Sequence, residues 1–324
     1  MEMQNSADEP PEAEGRRKRL TLGKAKYLIT RYATHLFNSI LLSGLDKQEE
    51  IVDETSWDTL IILDACRYDY FAMRYPHFFE GKLKKLKSPA SWTYNWLPKV
   101  FGDTYNITVY SAHPGINSRG TGRRMGYVAS DHFKKIVDVW DLGWDPEVGT
   151  VHPSKINEAV LNDLKDGKFV GKNLIWYIQP HSPWIGKTRL SEPRDNWNDK
   201  KALGELIRKF KSGEVSWSLL QQAYSDNLDL VLEHVSQLLP HLPGKTVITS
   251  DHGELLGEWN RFGHPGHLVL TKLREVPWLE VDNVLRVESK IQETQAEMSE
   301  RNNQAGSEED QEKMMKRLKQ LGYF

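Results

Sequence analysis

Two carboxylates and an imidazole stand where this chain could hold a divalent cation. The segment Thr246 to Leu256, TVITSDHGELL, runs a short β-type stretch into the pair Asp251 and His252, and Trp57 to Asp64, WDTLIILD, is an apolar run closed by Asp64. If both runs are strands, each ends on an oxygen donor at the carboxyl edge, where open α/β sheets hold their ligands. The two ends can then share one ion. Asp64, Asp251 and His252 make three protein ligands with a position left for a nucleophile or substrate, which is the arrangement of a catalytic rather than a structural cation. A nucleophile is offered by Lys87 to Leu97, KSPASWTYNWL, where Ser88, Ser91 and Thr93 precede a helix-like stretch. A hydroxyl at a helix N-terminus faces N–H groups that favour an anionic oxygen, and a cation lowers its pKa. The competing reading is that these residues are ordinary N-caps. Two carboxylates, one hydroxyl and one imidazole suit manganese, zinc or magnesium, and lean away from a purely zinc site.

Positioning these groups requires a sheet. Leu60 to Asp64, Asn106 to Ser111, Lys172 to Gln179 and Thr246 to Ser250 read as buried strands, because their apolar residues are consecutive and β-branched rather than spaced by three and four. Helical patterns lie between them, notably Trp217 to Leu239, with Leu220, Leu228, Val231 and Val235 on one face. Strands alternating with helices predict an α/β fold with a largely parallel central sheet flanked by helices on both faces. The expected organisation is a tail over residues 1–19, one catalytic domain over 20–285 and a polar C-terminal tail over 286–324. The acidic, Pro-containing start reads as disordered, and Val287 to Lys319 is rich in Glu, Gln, Lys and Asn with almost no apolar stripe. Between tail and domain, Arg16 to Arg19 lead into a helical pattern from Gly23 to Ser43, with Leu28, Tyr32, Leu36 and Ile40 at four-residue spacing. It reads either as a helix packed on the domain or as a membrane-surface or partner-docking helix with a basic lead.

Composition narrows the function classes. A formal charge of −2 argues against bulk nucleic-acid binding. One cysteine, Cys66, excludes an intrachain disulfide and a Cys-rich zinc site. No apolar run reaches membrane-spanning length, and the start has neither the basic opening nor the apolar stretch of a signal peptide. The expectation is a soluble cytoplasmic protein, with peripheral membrane attachment the one departure that the basic lead allows. Nothing in the sequence specifies an oligomeric state.

The order LDACRYD, SPASWT, YIQPHSPW, and SDHGE followed by GH resembles the alkaline phosphatase and sulfatase superfamily, and within it the sulfatase-like, lipoteichoic-acid-synthase-like branch. The resemblance spans roughly residues 56 to 281, and SDHGE is its most specific piece. It implies an alkaline phosphatase-like fold and transfer or hydrolysis of phosphate monoesters or diesters through a covalent enzyme intermediate, resolved by water or an acceptor alcohol. Asp64, Asp251 and His252 would bind metal, and Thr93 would be both ligand and nucleophile. His181, in its H-x-P setting, would face the transferred group or leaving oxygen, and His264 would reach the metal or the phosphoryl oxygens. The sulfatase motif C/S-x-P-x-R is absent, which disfavours formylglycine chemistry; a sulfuric ester hydrolase lacking formylglycine is the nearest rival. The QPHSPW segment lacks the carboxylate that the two-metal phosphodiesterases place there, so one ion is preferred and a second disfavoured. The substrate would be an anionic ester, glycan- or lipid-linked in some of these enzymes.

Other residues carry two readings. Arg67 could hold a phosphoryl oxygen, or with Asp69 brace the turn after the strand; Glu254 and Glu258 read as similar braces. The stretch Arg119 to Tyr127 mixes glycines with arginines but has no Lys-Ser/Thr, so it is not a nucleotide loop. Trp184 to Asn198 reads as a surface loop or lid. A non-catalytic glycan- or partner-binding member is the alternative from another class, opposed by the presence of Asp64, Thr93, Asp251 and His252 together.

Overall fold

A computed structural model of the chain describes residues 33–34, 36–117, 126–190, 201–266 and 268–284. Its strands in chain order are β1 (Thr59–Leu63), β2 (Phe79–Lys87), β3 (Tyr105–Ser111), β4 (Phe133–Asp138), β5 (Trp144–Asp145) and β6 (Thr150–Val151). They continue with β7 (Lys172–Tyr177), β8 (Thr246–Thr249), β9 (Leu255–Leu256), β10 (Phe262–Gly263) and β11 (Glu275–Val284). Seven of them form one sheet in the order β2-β11-β8-β1-β7-β3-β4. The block β8-β1-β7-β3-β4 is parallel throughout, and β11 runs antiparallel to both of its neighbours. The expected largely parallel sheet with helices on both faces is what the chain forms.

Period-two alternation divides the core. Ile61 and Leu63 of β1 join Ile175, Tyr177 and Ile248 under the long helix Trp217–Leu238. Leu60 and Ile62 point the other way, with Leu174, Trp176 and Val247, toward Trp96, Leu97 and Val100 of the helix Thr93–Val100. Each face buries its own apolar set, which is why the central strands read as unbroken apolar runs. The helix Pro153–Lys165 packs beside Trp217–Leu238, and Tyr177 Oη donates to Asn157 Oδ1 at 2.6 Å between them.

The four expected strands are present, and three more join them. β2 escapes a hydrophobic search because it is an edge strand whose lysines, among them Lys82, Lys84 and Lys85, alternate with few apolar residues, a pattern that discourages pairing with other chains. Its Gly81 lets the β11 backbone approach: a Cβ there would lie 2.3 Å from the Glu280 carbonyl oxygen. β11 carries Pro277, which reads as a break in a strand. β4 is short and half charged.

The helical pattern near the N-terminus is described only from residue 33 on. There Asn38 and Leu42 are the buried positions, while Leu36 and Ile40, the stripe that would have faced the domain, are exposed. The first part of the Trp184 to Asn198 loop is packed, with Trp184 buried and bridged to Leu190. The rest of that loop, most of Arg119 to Tyr127, and both tails beyond residues 33 and 284 lie outside the described residues. No helix among the described residues is long and apolar enough to cross a membrane.

Candidate metal centre at the sheet edge

Four neighbouring parallel strands, β8, β1, β7 and β3, deliver polar side chains to one edge. Asp64 follows β1, Asp251 and His252 follow β8, His181 follows β7 and His113 follows β3. Asp64, Asp251 and His252 are buried and present ligand atoms that all lie within 4.8 Å of one another. His252 Nε2 is 3.2 Å from Asp251 Oδ2 and 4.0 Å from Asp64 Oδ1.

The backbone aims each donor. Asp251 Oδ1 accepts the N–H groups of Ala65 at 3.0 Å and His252 at 2.9 Å, which leaves Oδ2 turned to the centre. His252 Nδ1 sits 2.9 Å from the Gly253 carbonyl oxygen, which can only accept, so Nδ1 carries the proton and Nε2 offers its lone pair inward. Gly253 is required at its place: a Cβ would lie 2.1 Å from the Lys272 carbonyl oxygen. Behind Asp64, Ala65 adopts a left-handed φ of 56°. Tyr224 Oη latches that turn, donating to Ala65 O at 2.7 Å and accepting from Arg67 N at 2.9 Å.

The three candidate hydroxyls differ sharply. Ser88 Oγ lies 2.5 Å from Asp251 O and 2.8 Å from Ala90 O, and Ser91 Oγ donates to Pro265 O at 3.0 Å. Both are spent on backbone carbonyls. Thr93 Oγ1 donates to Asp251 Oδ2 at 2.7 Å and lies 3.3 Å from His252 Nε2, at the first turn of its helix. It is the hydroxyl of the three that meets a carboxylate of the cluster.

A cation fits this donor set. Asp64 Oδ1 is buried without a hydrogen-bond partner. Burial, then the charges of Asp251 and Glu254, push the Asp64 carboxyl well above the ordinary carboxylate range. Buried carboxylates crowded with an imidazole lone pair and a hydroxyl are costly unless a positive charge joins them.

Beside this group stands a second one. His181, Glu254 and His264 also bring ligand atoms within 4.8 Å of one another. His181 Nδ1 is 2.6 Å from the Ser182 carbonyl oxygen, so its proton sits there and Nε2 faces His264 Nε2 at 3.0 Å. The His264 ring stacks on His252 with centroids 4.3 Å apart. Burial, then the neighbouring histidines, hold His264 well below the usual imidazole value. Glu254 Oε2 and His264 Nδ1 are buried without partners. Burial above all pushes Glu254 up to about 8. Glu254 is thus an inward-facing carboxylate rather than a brace, and it supplies to this group the acid that QPHSPW lacks.

Arg67 lies close by, with four of its five N–H donors engaged. Nε and Nη2 bind Asp69 at 2.9 and 2.7 Å, and Nη1 binds Glu258 at 2.5 Å and faces Glu254 O at 3.4 Å. Burial opposes ionisation of Asp69, yet Arg67 and Lys272 overcome it and hold Asp69 at about 2. This is the bracing geometry, with one Nη2 N–H left over. Cys66 is buried beside the turn, and burial raises its thiol. His267, three residues past His264 in the segment FGHPGH, lies outside the described residues.

His113 is the residue that sequence reasoning missed. Its Nδ1 accepts from Gly115 N–H at 3.0 Å, so the proton is on Nε2, 3.6 Å from Asp64 Oδ2. Burial lowers it to about 4, which keeps the ring neutral. The signal was available: His113 stands just past a strand that runs parallel to β7 and ends at the same edge as Asp64.

No family model matches the chain, and no curated protein sequence does. Solved structures with a similar fold include the soluble domain of lipooligosaccharide phosphoethanolamine transferase A from Neisseria meningitidis, at 16% identity and a TM-score of 0.46 over 69% of this chain and 75% of that one. The lipoteichoic acid synthase LtaP from Listeria monocytogenes is 10% identical, with a TM-score of 0.37 over 76% of this chain and 71% of that one. A protein in the alkaline phosphatase superfamily from Vibrio parahaemolyticus is 9% identical, with a TM-score of 0.38 over 70% of this chain and 60% of that one. The likeness to these structures is one of fold, at low identity.

Proposed function

We infer that the chain is a divalent-cation-dependent enzyme that transfers or hydrolyses phosphate esters, with Thr93 as nucleophile. One observation carries this reading: of three nearby hydroxyls, Thr93 alone sits on Asp251 Oδ2 and beside His252 Nε2, at a helix N-terminus and within a buried cluster that includes Asp64. Asp64, Asp251, His252 and Thr93 would hold the ion, and His181, Glu254 and His264 are a donor set for a second. A bound cation would supply positive charge to the developing alkoxide and to the phosphoryl oxygens.

The chain's own groups account for the remaining work. Thr93 passes its proton to the inward oxygen of Asp251 as Oγ1 bonds to phosphorus and the ester oxygen leaves. The leaving oxygen takes its proton from water, which the Nε2 lone pair of His181 at the β7 side can hold and orient. The phosphothreonine formed is then opened by water or by an acceptor alcohol, which regenerates the hydroxyl. His113 Nε2–H points into the same space and can donate to a phosphoryl oxygen.

The test is hydrolysis of aryl phosphate monoester, phosphodiester and sulfate probes with and without manganese, zinc or magnesium, with intact-mass measurement of the trapped enzyme. Phosphoester cleavage that needs a cation, and a mass gain of one phosphoryl-linked group lost in Thr93→Ala, is the expected result. Full activity in a folded Thr93→Ala protein would remove Thr93 from the mechanism.

A further inference from the structure

The helix over residues 36–42 is attached to the domain by one side and shows large apolar side chains on the other. Asn38 is 8% exposed and Leu42 is 2% exposed. Asn38 Oδ1 accepts the Thr271 N–H at 2.9 Å, which ties the helix to the segment that follows the His264 loop. On the far side, Leu36, Phe37, Ile40 and Leu41 are 65%, 62%, 62% and 50% exposed. Those positions fall within one arc of a helix, opposite Asn38 and Leu42. Exposed large side chains grouped in this way mark a contact surface rather than scattered surface residues.

Charge identifies what the surface meets. Between Glu14 and Asp46 the sequence holds Arg16 to Arg19, Lys24, Lys26 and Arg31 and no acidic residue. A second copy of this chain carries the same positive stretch and offers no complementary charge. A lipid surface bearing anionic headgroups attracts the basic residues and accepts the apolar ones at its acyl boundary. We propose that the helix over residues 36–42 is an interfacial anchor that seats this protein on an anionic phospholipid bilayer. The inference stands on exposure and charge, and does not depend on Thr93 being a nucleophile.

Flotation of the full chain with vesicles tests it, using phosphatidylglycerol–phosphatidylcholine mixtures against pure phosphatidylcholine, at low and high salt. Binding to the anionic vesicles, weakened by salt and weak on the neutral ones, is the expected result. The double variant Phe37→Asp with Ile40→Asp alters only exposed side chains and lowers the partition coefficient about tenfold or more, with an unchanged melting temperature. Absence of binding to anionic vesicles, equal binding to neutral ones, or equal binding of the double variant would each overturn the proposal. A dimer in light scattering that the double variant dissociates, without vesicle binding, would assign the face to a second copy instead. Enzyme assays are not part of the readout, so failure here leaves the catalytic reading intact, and the reverse also holds.

Discussion

Tyr224→Phe isolates the latch behind Asp64. The ring stays, including its edge contact with Tyr70 at a centroid distance of 4.9 Å, so packing is held nearly constant. What is lost is one hydroxyl that pairs both Ala65 O and Arg67 N, in a place where Tyr224 and Ala65 are fully buried. Each buried backbone group left without a partner costs about 1–3 kcal/mol, so with two such groups the variant should lose about 2–6 kcal/mol of unfolding free energy. The turn also loses what holds Ala65 at its left-handed φ, a conformation that disfavours a non-glycine residue by roughly 1–2 kcal/mol. Relaxation there swings Asp64, the adjacent residue, and cation affinity should fall about tenfold or more, as when other supporting residues of metal ligands are removed. Urea denaturation of the cation-free protein and calorimetric titration with manganese or zinc measure the two effects separately. A stability loss below about 0.5 kcal/mol together with unchanged affinity would refute the claim that Tyr224 positions the centre.

Two further outcomes follow from the site. Glu254 has its carboxyl raised from an ordinary 4.5 to about 8 by burial, so the folded cation-free protein keeps a proton that the unfolded chain releases. That contribution to stability is complete below about pH 4.5 and is lost as pH rises through about 8; Asp64 acts in the same direction. Denaturation from pH 5 to 9 should show the decline without cation, a smaller one with saturating cation, and a flatter curve for Glu254→Gln; a pH-independent wild type would show that these carboxylates are already paired. His113→Phe should lower turnover about ten- to a hundredfold through loss of the Nε2–H donor, while cation affinity changes by less than about threefold. A collapse of cation affinity with turnover per bound ion preserved would make His113 a support for Asp64 instead.

The parts of the centre that were legible in the sequence share one property: a buried strand ran directly into the functional residue. β1 ends at Leu63 and β8 at Thr249, so Asp64 and the Asp251–His252 pair stand at or just past the strand ends, and an apolar run announced both. His113 was overlooked although it stands two residues past the end of β3 at Ser111, as Asp251 does past Thr249, because it follows as a lone histidine with no carboxylate beside it in the sequence; Ser111 Oγ takes its N–H at 3.0 Å. Glu254 was misjudged because an acid after a turn carries no sign of whether it faces an arginine or the centre; Glu258 in fact pairs with Arg67 and Glu254 does not. Among the hydroxyls, spacing could not separate Thr93 from Ser88 and Ser91, since the distinction lies in which carbonyls the serines find across the fold. Which of the two readings of the N-terminal helix holds was not legible for a related reason: its buried pair, Asn38 and Leu42, includes a polar side chain that periodicity counts as outward, while Leu36 and Ile40 are exposed.

The order β8-β1-β7-β3 has a kinetic consequence. Neighbours in that block come from far apart in the chain, with β8 joining β1 across nearly the whole domain. Loop-closure entropy must be overcome before such pairings are rewarded, so the parallel block is expected to assemble slowly relative to local helices. Asp64 and Asp251 meet only once β8 has docked beside β1. Cation uptake during refolding is therefore a clock for that one docking event: helix signals should recover first, and tight cation binding only when the last central strand is in register.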